Sequence, residues 1–143
     1  MTKIGNVLVD SNSSVKVMGI INVSPESFYK DSIKVTELEI SKTAEKMQNE
    51  GANIIDIGAM STAPYLDTMI SIEEEIRRIK LAIKAVKDSC QLPISVDTPR
   101  SITAKSALSC GIDAINDISQ RLIGLIIDYQ QYNYNNNCRS YPN

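Results

Sequence analysis

Histidine is absent from the 143-residue chain, which removes Ser-His-Asp and Cys-His catalysis, H-E-x-x-H zinc chemistry and histidine proton relays. Any catalysis falls to carboxylates, amides, hydroxyls, backbone groups or a hard metal. Cysteine is scarce and odd in number: Cys90, Cys110 and Cys138 contain no C-x-x-C pair, so neither a disulfide framework nor a thiolate metal site is expected. A reducing cytoplasm is the expected compartment. Long apolar runs are missing too. Met1-Thr2-Lys3-Ile4-Gly5 is no signal peptide, and nowhere do about 18 apolar residues run together. Neither targeting nor a membrane span is expected. An excess of one charge is also lacking: 15 basic against 17 acidic side chains leave a net charge of −2. That balance argues against nucleic acid or an anionic membrane as partner, and for a small-molecule ligand.

What is present is enough apolar residue, 43% of the chain, to build the core of a single domain. Ile4 to Val9 and Val15 to Val17 flank the polar cluster Asp10-Ser11-Asn12-Ser13-Ser14, which reads as a short β-hairpin over residues 1–16. Val17-Met18-Gly19-Ile20-Ile21 then runs apolar up to Asn22, the pattern of a strand buried on both faces. Leu38, Ile40, Ala44 and Met47 recur at helical spacing and predict a helix from about 36 to 50, stopped at Gly51.

The alternation repeats. Asn53 to Gly58 reads as a second strand, and Ser71 opens a second helix with Glu74 completing a capping box. Ile72, Ile76, Ile79, Ile83 and Val86 supply that helix's buried stripe. The acidic run Glu73-Glu74-Glu75 reads as a solvated first turn complementing the helix dipole. Leu92 to Asp97 gives a third strand, 101–110 a third helix closed by Gly111, and Asp113 to Asp117 a fourth strand. Strand–helix alternation through short loops implies a parallel sheet, either doubly wound or a (β/α)8 barrel. From Gln120 onward the pattern lapses into an Asn/Tyr-rich polar tract, so 120–143 reads as an atypical, non-native tail.

In parallel β/α architectures the loops after the strands form the ligand face. Each predicted strand ends in polar residues there: Asn22; Gly58 followed by Ser61-Thr62; Asp97; and Asn116-Asp117. Any one alone could be a helix cap, but all four together indicate a convergent polar site. Asp97 and Asn116 suit a flat heterocycle with donors and acceptors, because Asp accepts only while Asn does both. Asn22 offers a neutral oxygen that fits Mg²⁺ held mainly by substrate phosphate and water. Set against these readings, Ser61 and Thr62 could cap the next segment, Phe28 could be a packing residue, and Asp56 and Asp117 could bond neighbouring backbone at strand ends. Gly58 points to tight backbone geometry rather than ligand contact.

Four ordered motifs carry a resemblance. Val17-Met18-Gly19-Ile20-Ile21-Asn22-Val23-Ser24-Pro25-Glu26-Ser27-Phe28 resembles M-G-I-L-N-V-T-P-D-S-F of the dihydropteroate synthases. Gly51-Ala52-Asn53-Ile54-Ile55-Asp56-Ile57-Gly58 with Ser61-Thr62-Ala63-Pro64 resembles G-A-x-I-I-D-I-G-G-E-S-T-R-P. Ile94-Ser95-Val96-Asp97-Thr98 resembles I-S-V-D-T, and Gly111 to Ser119 resembles G-A-D-I-I-N-D-I-S-G. The resemblance implies a fold: the N-terminal half of a (β/α)8 TIM barrel over 17–119, preceded by the hairpin and truncated after its fourth strand. It implies a transferase joining the methylene of dihydropterin diphosphate to the amine of p-aminobenzoate, in folate or methanopterin-type pterin biosynthesis. By the same resemblance Asn22 would match the Mg²⁺ and diphosphate contact, and Ser61-Thr62 the substrate-loop hydroxyls. Asp97 and Asn116 would match the pterin contacts, and Phe28 the aromatic closing over the aminobenzoate. A homodimer is the corresponding expectation for the full-length parent.

Two departures stand out. Ala63 replaces the arginine of S-T-R-P, and no lysine or arginine lies within 58–70, so anion recognition must differ. The Ser-Thr-Ala-Pro-Tyr form resembles the archaeal branch, some members of which use a ribosylated aminobenzene. The similarity also stops near Ser119, which predicts a truncated chain, inactive alone, whose tail from Gln120 a frameshift would explain. The alternatives are a methyltetrahydrofolate-corrinoid methyltransferase-like protein, which Ser61-Thr62 and Ser24-Pro25 argue against, and a non-catalytic pterin-binding fragment.

Overall fold

The structure is a computed structural model that describes residues 2–23, 33–59 and 70–117. Phe28, Ser61, Thr62, Ala63 and the tail from Gln120 lie outside the described residues. Strands β1 (Thr2–Ile4) and β2 (Val7–Val9) form an antiparallel hairpin in which Thr2 faces Val9 and Ile4 faces Val7. The remaining elements alternate: β3 (Met18–Asn22), α1 (Ile33–Asn49), β4 (Ile54–Gly58), α2 (Ile72–Ser89), β5 (Ile94–Asp97), α3 (Ser101–Ser109) and β6 (Ala114–Asn116). The four later strands pair in sequence order, all parallel, as β3-β4-β5-β6. This is the β/α arrangement expected, resembling the N-terminal part of a TIM barrel.

The hairpin differs from the expectation. Its turn is the two-residue Gly5-Asn6, with Gly5 at φ +56°, a conformation that glycine adopts without strain. The Asp10–Ser13 cluster closes on itself instead: Ser13 N donates to Asp10 O at 3.2 Å and Asn12 N to Asp10 Oδ1 at 2.8 Å. Val15 to Val17 is no strand either, because Asn53 occupies Val17. Val17 N donates to Asn53 Oδ1 at 2.9 Å and Asn53 N to Val17 O at 2.8 Å.

The core lies between the sheet and its helices. Ile21, Ile55, Ile57, Ile94 and Val96 point at the helix layer and are all buried. They meet Ile40 and Ala44 of α1, Ala82, Ile83 and Val86 of α2, and Ala107 of α3. Small residues let α1 and α2 approach closely, and Ser41 Oγ donates to Ala85 O at 3.0 Å across that contact. Leu38, expected on the buried stripe of α1, is 54% exposed, and Thr36 is buried in its place.

In α2 the expected cap is present: Ser71 Oγ accepts from Glu74 N at 3.2 Å. The reciprocal half of the capping box is diverted, since the Glu74 carboxylate accepts from Arg77 and Arg78 at 2.7–2.8 Å. The acidic first turn is not wholly solvated. Glu75 is fully buried and Arg78 nearly so, whereas Ile72 and Ile76 are only half-buried. The reason is geometric: 75, 79, 82 and 86 follow the i, i+4, i+7, i+11 line, which puts Glu75 on the core side of the helix. Among the described residues no helix is long and apolar enough to cross a membrane.

Candidate functional site

Parallel register builds the site. Asn22 pairs with Gly58, Gly58 with Asp97, and Asp97 with Asn116. Residues that are partners across a sheet share a face, so one row of the sheet reads Asn22, Gly58, Asp97, Asn116. It lies at the C-terminal ends of the strands, on the side away from the helices. The next row inward reads Ile20, Asp56, Ser95, Ala114. With about 4.8 Å between strands, Asp97 and Asn116 stand side by side, while Asn22 lies about 10 Å from Asp97 across Gly58.

Gly58 is what lets the row close up. A Cβ built there would stand 3.0 Å from Asn22 Oδ1 and 4.0 Å from the Asp97 Cβ. The glycine therefore leaves room for the Asn22 carboxamide to lie over β4, as the tight-geometry reading anticipates.

Asp56 takes a larger part than strand-end bonding to neighbouring backbone. It is 3% exposed, and its Oδ2 accepts from Asn116 Nδ2 at 3.1 Å. A carboxylate only accepts, so this bond turns the Asn116 amide nitrogen toward Asp56 and puts Asn116 Oδ1 at the other end of the carboxamide. Asp56 Oδ1 and Asp97 Oδ1 are buried and have no hydrogen-bond partner among the described residues. Buried acceptors left unpaired are costly. They ask for a ligand edge rich in N–H donors.

The electrostatics agree. Burial raises the Asp97 carboxyl above the ordinary aspartate value, and the negative charges of Asp56, Asp117 and Glu75 raise it further. A donor-rich or cationic heterocycle relieves that crowding.

Behind Asp97 sits a polar cluster that sequence reasoning missed. Thr98 Oγ1 donates to Glu75 Oε1 at 2.6 Å, and Thr103 Oγ1 to Glu75 Oε2 at 3.0 Å. Arg100 Nη1 donates to Glu75 Oε2 at 3.0 Å and to Ile70 O at 2.9 Å. The stripe arithmetic of α2 would have located Glu75; Thr98 and Arg100 carry no signal of their own in the sequence.

For a metal, the described residues contain no group of three or more His, Cys, Asp or Glu able to hold one. Asn22, with one neutral oxygen exposed at the rim, fits a Mg²⁺ ion whose other ligands are substrate phosphate and water. It does not fit an all-protein cage.

Thus Asn22, Asp97 and Asn116, read from the sequence as site residues, come together in one row, while Ser61, Thr62 and Phe28 fall outside the described residues. The chain is 38% identical over 116 residues to a dihydropteroate synthase of Streptococcus pyogenes, covering 81% of this chain and 42% of that one. It is 40% identical over 117 residues to that of a Synechocystis strain, covering 81% and 40%. Among solved structures, Xanthomonas albilineans dihydropteroate synthase with 4-aminobenzoic acid superimposes with a TM-score of 0.62 at 32% identity, covering 75% of this chain and 40% of that one. Burkholderia cenocepacia dihydropteroate synthase complexed with 7,8-dihydropteroate gives 0.60 at 33% identity, with coverage of 75% and 34%. The chain thus spans about two fifths of the length of the relatives it matches. The pattern of the pterin binding enzymes matches residues 18–129, and this chain belongs to that family.

Proposed function

We infer that the row Asn22-Gly58-Asp97-Asn116 is the pterin half-site of a dihydropteroate synthase-type transferase. The observation that carries the reading is the pair of buried acceptors Asp97 Oδ1 and Asp56 Oδ1, beside the Asn116 carboxamide whose nitrogen donates to Asp56 Oδ2. A 2-aminopterin presents adjacent N–H donors on one edge and meets that set. Relatives of this fold are complexed with 4-aminobenzoic acid and with 7,8-dihydropteroate, a second substrate and a product that suit the same site.

In the whole protein the amine of p-aminobenzoate attacks the pterin methylene carbon. The carbon–oxygen bond to diphosphate breaks, and the amine proton passes to solvent. Asp97, Asn116 and Asp56 hold and orient the pterin and favour the positive charge that develops on it. Asn22, about 10 Å away along the row, stands at the diphosphate end. Mg²⁺ bound there with the diphosphate would supply charge neutralisation of the leaving group. Ser61, Thr62 and Phe28 belong to the acceptor side of this reading, and the missing guanidinium at Ala63 leaves room for a larger aminobenzene. No covalent nucleophile is needed, so positioning and electrostatics carry the catalysis. A cytoplasmic setting belongs to the same reading and is supported by the free thiols of Cys90 and Cys110.

The test is fluorescence titration of the folded 143-residue chain with dihydropterin-methyl diphosphate. Saturable binding that Asp97→Ala weakens by roughly tenfold or more, the worth of one charge-assisted hydrogen bond, supports the assignment. Binding that is equally tight in Asp97→Ala overturns it.

A further inference from the structure

Thr98 is the residue through which a buried carboxylate reaches the row. It is fully buried and bonded in three directions. Its N–H donates to Asn116 O at 3.2 Å, its hydroxyl donates to Glu75 Oε1 at 2.6 Å, and the same oxygen accepts from Arg100 N at 3.2 Å. The polarity of this chain is fixed, because a carboxylate can only accept and a backbone N–H can only donate. The hydroxyl proton therefore points at Glu75 and its lone pair at Arg100.

We propose that Glu75 is a positioning residue for the pterin-reading pair, acting through Thr98 to fix the backbone that carries Asp97 and Asn116 together. One hydrogen bond and the covalent chain separate the Glu75 carboxylate from Asp97, and two hydrogen bonds separate it from Asn116. One route passes along the chain from Thr98 to Asp97; the other crosses from the Thr98 amide to the Asn116 carbonyl. Arg100 fastens the other side, since its single Nη1 spans Glu75 Oε2 and the carbonyl of Ile70, the residue before the α2 cap. The first turn of α2, the end of β5 and the start of α3 thus meet on one buried carboxylate. Purely structural burial would need no acid there, and a leucine at position 75 would continue the apolar stripe. What the acid adds is direction, because it gives donors of Thr98, Arg100 and Thr103 one common acceptor.

The inference rests on the pterin reading of Asp97 and Asn116, but its test separates from it. Thr98→Val and Thr103→Val each remove one hydroxyl donated to Glu75, at nearly constant volume. Thr98→Val also removes the acceptor of Arg100 N, so a merely structural cluster would show the larger loss of stability in Thr98→Val with no parallel loss of affinity. A positioning role makes Thr98→Val weaken binding of dihydropterin-methyl diphosphate about tenfold, while Thr103→Val, whose hydroxyl comes from α3 and touches neither β5 nor β6, leaves affinity unchanged whatever it does to the unfolding midpoint. Thr98→Ser, which restores the hydroxyl, recovers most of the loss. In the ligand-free chain, amide exchange at position 98, whose N–H bonds the Asn116 carbonyl rather than the deleted hydroxyl, accelerates in Thr98→Val and not in Thr103→Val. Equal affinity losses in the two valine variants, or no loss in either, overturn the proposal, as does failure of serine to rescue. If the parent chain binds no pterin, the functional reading fails, and amide exchange alone then decides: unchanged exchange in Thr98→Val sinks the positioning role as well.

Discussion

Asp97 is held against its own preference. Burial and the surrounding acids raise its carboxyl above the ordinary aspartate value, so the folded state holds this proton more tightly than the unfolded chain does. Stability from this group is therefore complete below the unfolded value and is lost as pH rises through the raised folded value. Asp97→Asn abolishes the penalty: its unfolding midpoint at neutral pH is expected to exceed the parent's while pterin affinity falls. Calorimetry at pH 7 and pH 4 reads the sign, and a lower midpoint at both would contradict it. Gly58→Ala makes the complementary case. Its Cβ would crowd Asn22 Oδ1 at 3.0 Å, and since Asn22 is exposed the amide can swing aside with little cost to folding. We expect an unfolding midpoint close to the parent's and a selective loss of Mg²⁺-dependent diphosphate binding, measured by comparing dihydropterin-methyl diphosphate with the free pterin. At this scale Asn22, Asp97 and Asn116 were legible because polar residues end every predicted strand, a coincidence that helix capping at single positions does not explain. The sequence leaves Asp56 open between a site role and strand-end bonding, because nothing in I-I-D-I-G says that its partner is an asparagine 60 residues on. Glu75 was read as solvent-facing because E-E-E at a helix start has an adequate local explanation in the dipole.

Elements were legible to within three residues wherever periodicity is strong. The helix predicted from 36 to 50 runs Ile33–Asn49 and the one at 101–110 runs Ser101–Ser109. The hairpin was misplaced because the Asp10–Ser13 cluster has better turn chemistry than Gly5-Asn6, and only the tertiary contact of Val17 with Asn53 settles which turn joins the strands. Strand faces give a direct check. Ile20 is 58% exposed while its neighbour Ile21 is 5% exposed, since successive residues of β3 face opposite ways. Ile21→Ala should cost about 2–5 kcal/mol, whereas Ile20→Ala should cost well under about 1.5 kcal/mol. Chemical denaturation that found the two equal would contradict the register. The α2 cap is smaller in weight: Ser71→Ala should cost about 1 kcal/mol, and it has no reason to alter ligand affinity.

For the molecule as a whole, the two ends of the sheet divide the labour. The hairpin turn sits at the N-terminal end of the strands, where a Cβ on Gly5 would stand 2.8 Å from Asp113 Oδ1 and 2.9 Å from Pro93 Cγ. Asp113 in turn accepts from Ile94 N at 2.9 Å, so the hairpin braces the start of β5 and β6 while the opposite ends hold the row. Gly5→Val combines this crowding with a positive φ that valine avoids. It should lower the unfolding midpoint distinctly while the pterin affinity of the folded fraction stays that of the parent, a separation that titration below the new midpoint measures. The row itself has a further consequence. Because side chains alternate along a strand, a one-residue slip that brings Ile21, Val96 or Ile115 into the row would replace Asn22, Asp97 or Asn116 with an apolar side chain from the helix-facing layer. A pterin analogue would therefore recognise correctly paired sheets and pass over misaligned ones. Present during refolding, such a compound should act as a pharmacological chaperone, raising the yield of variants weakened far from the site, Gly5→Val among them.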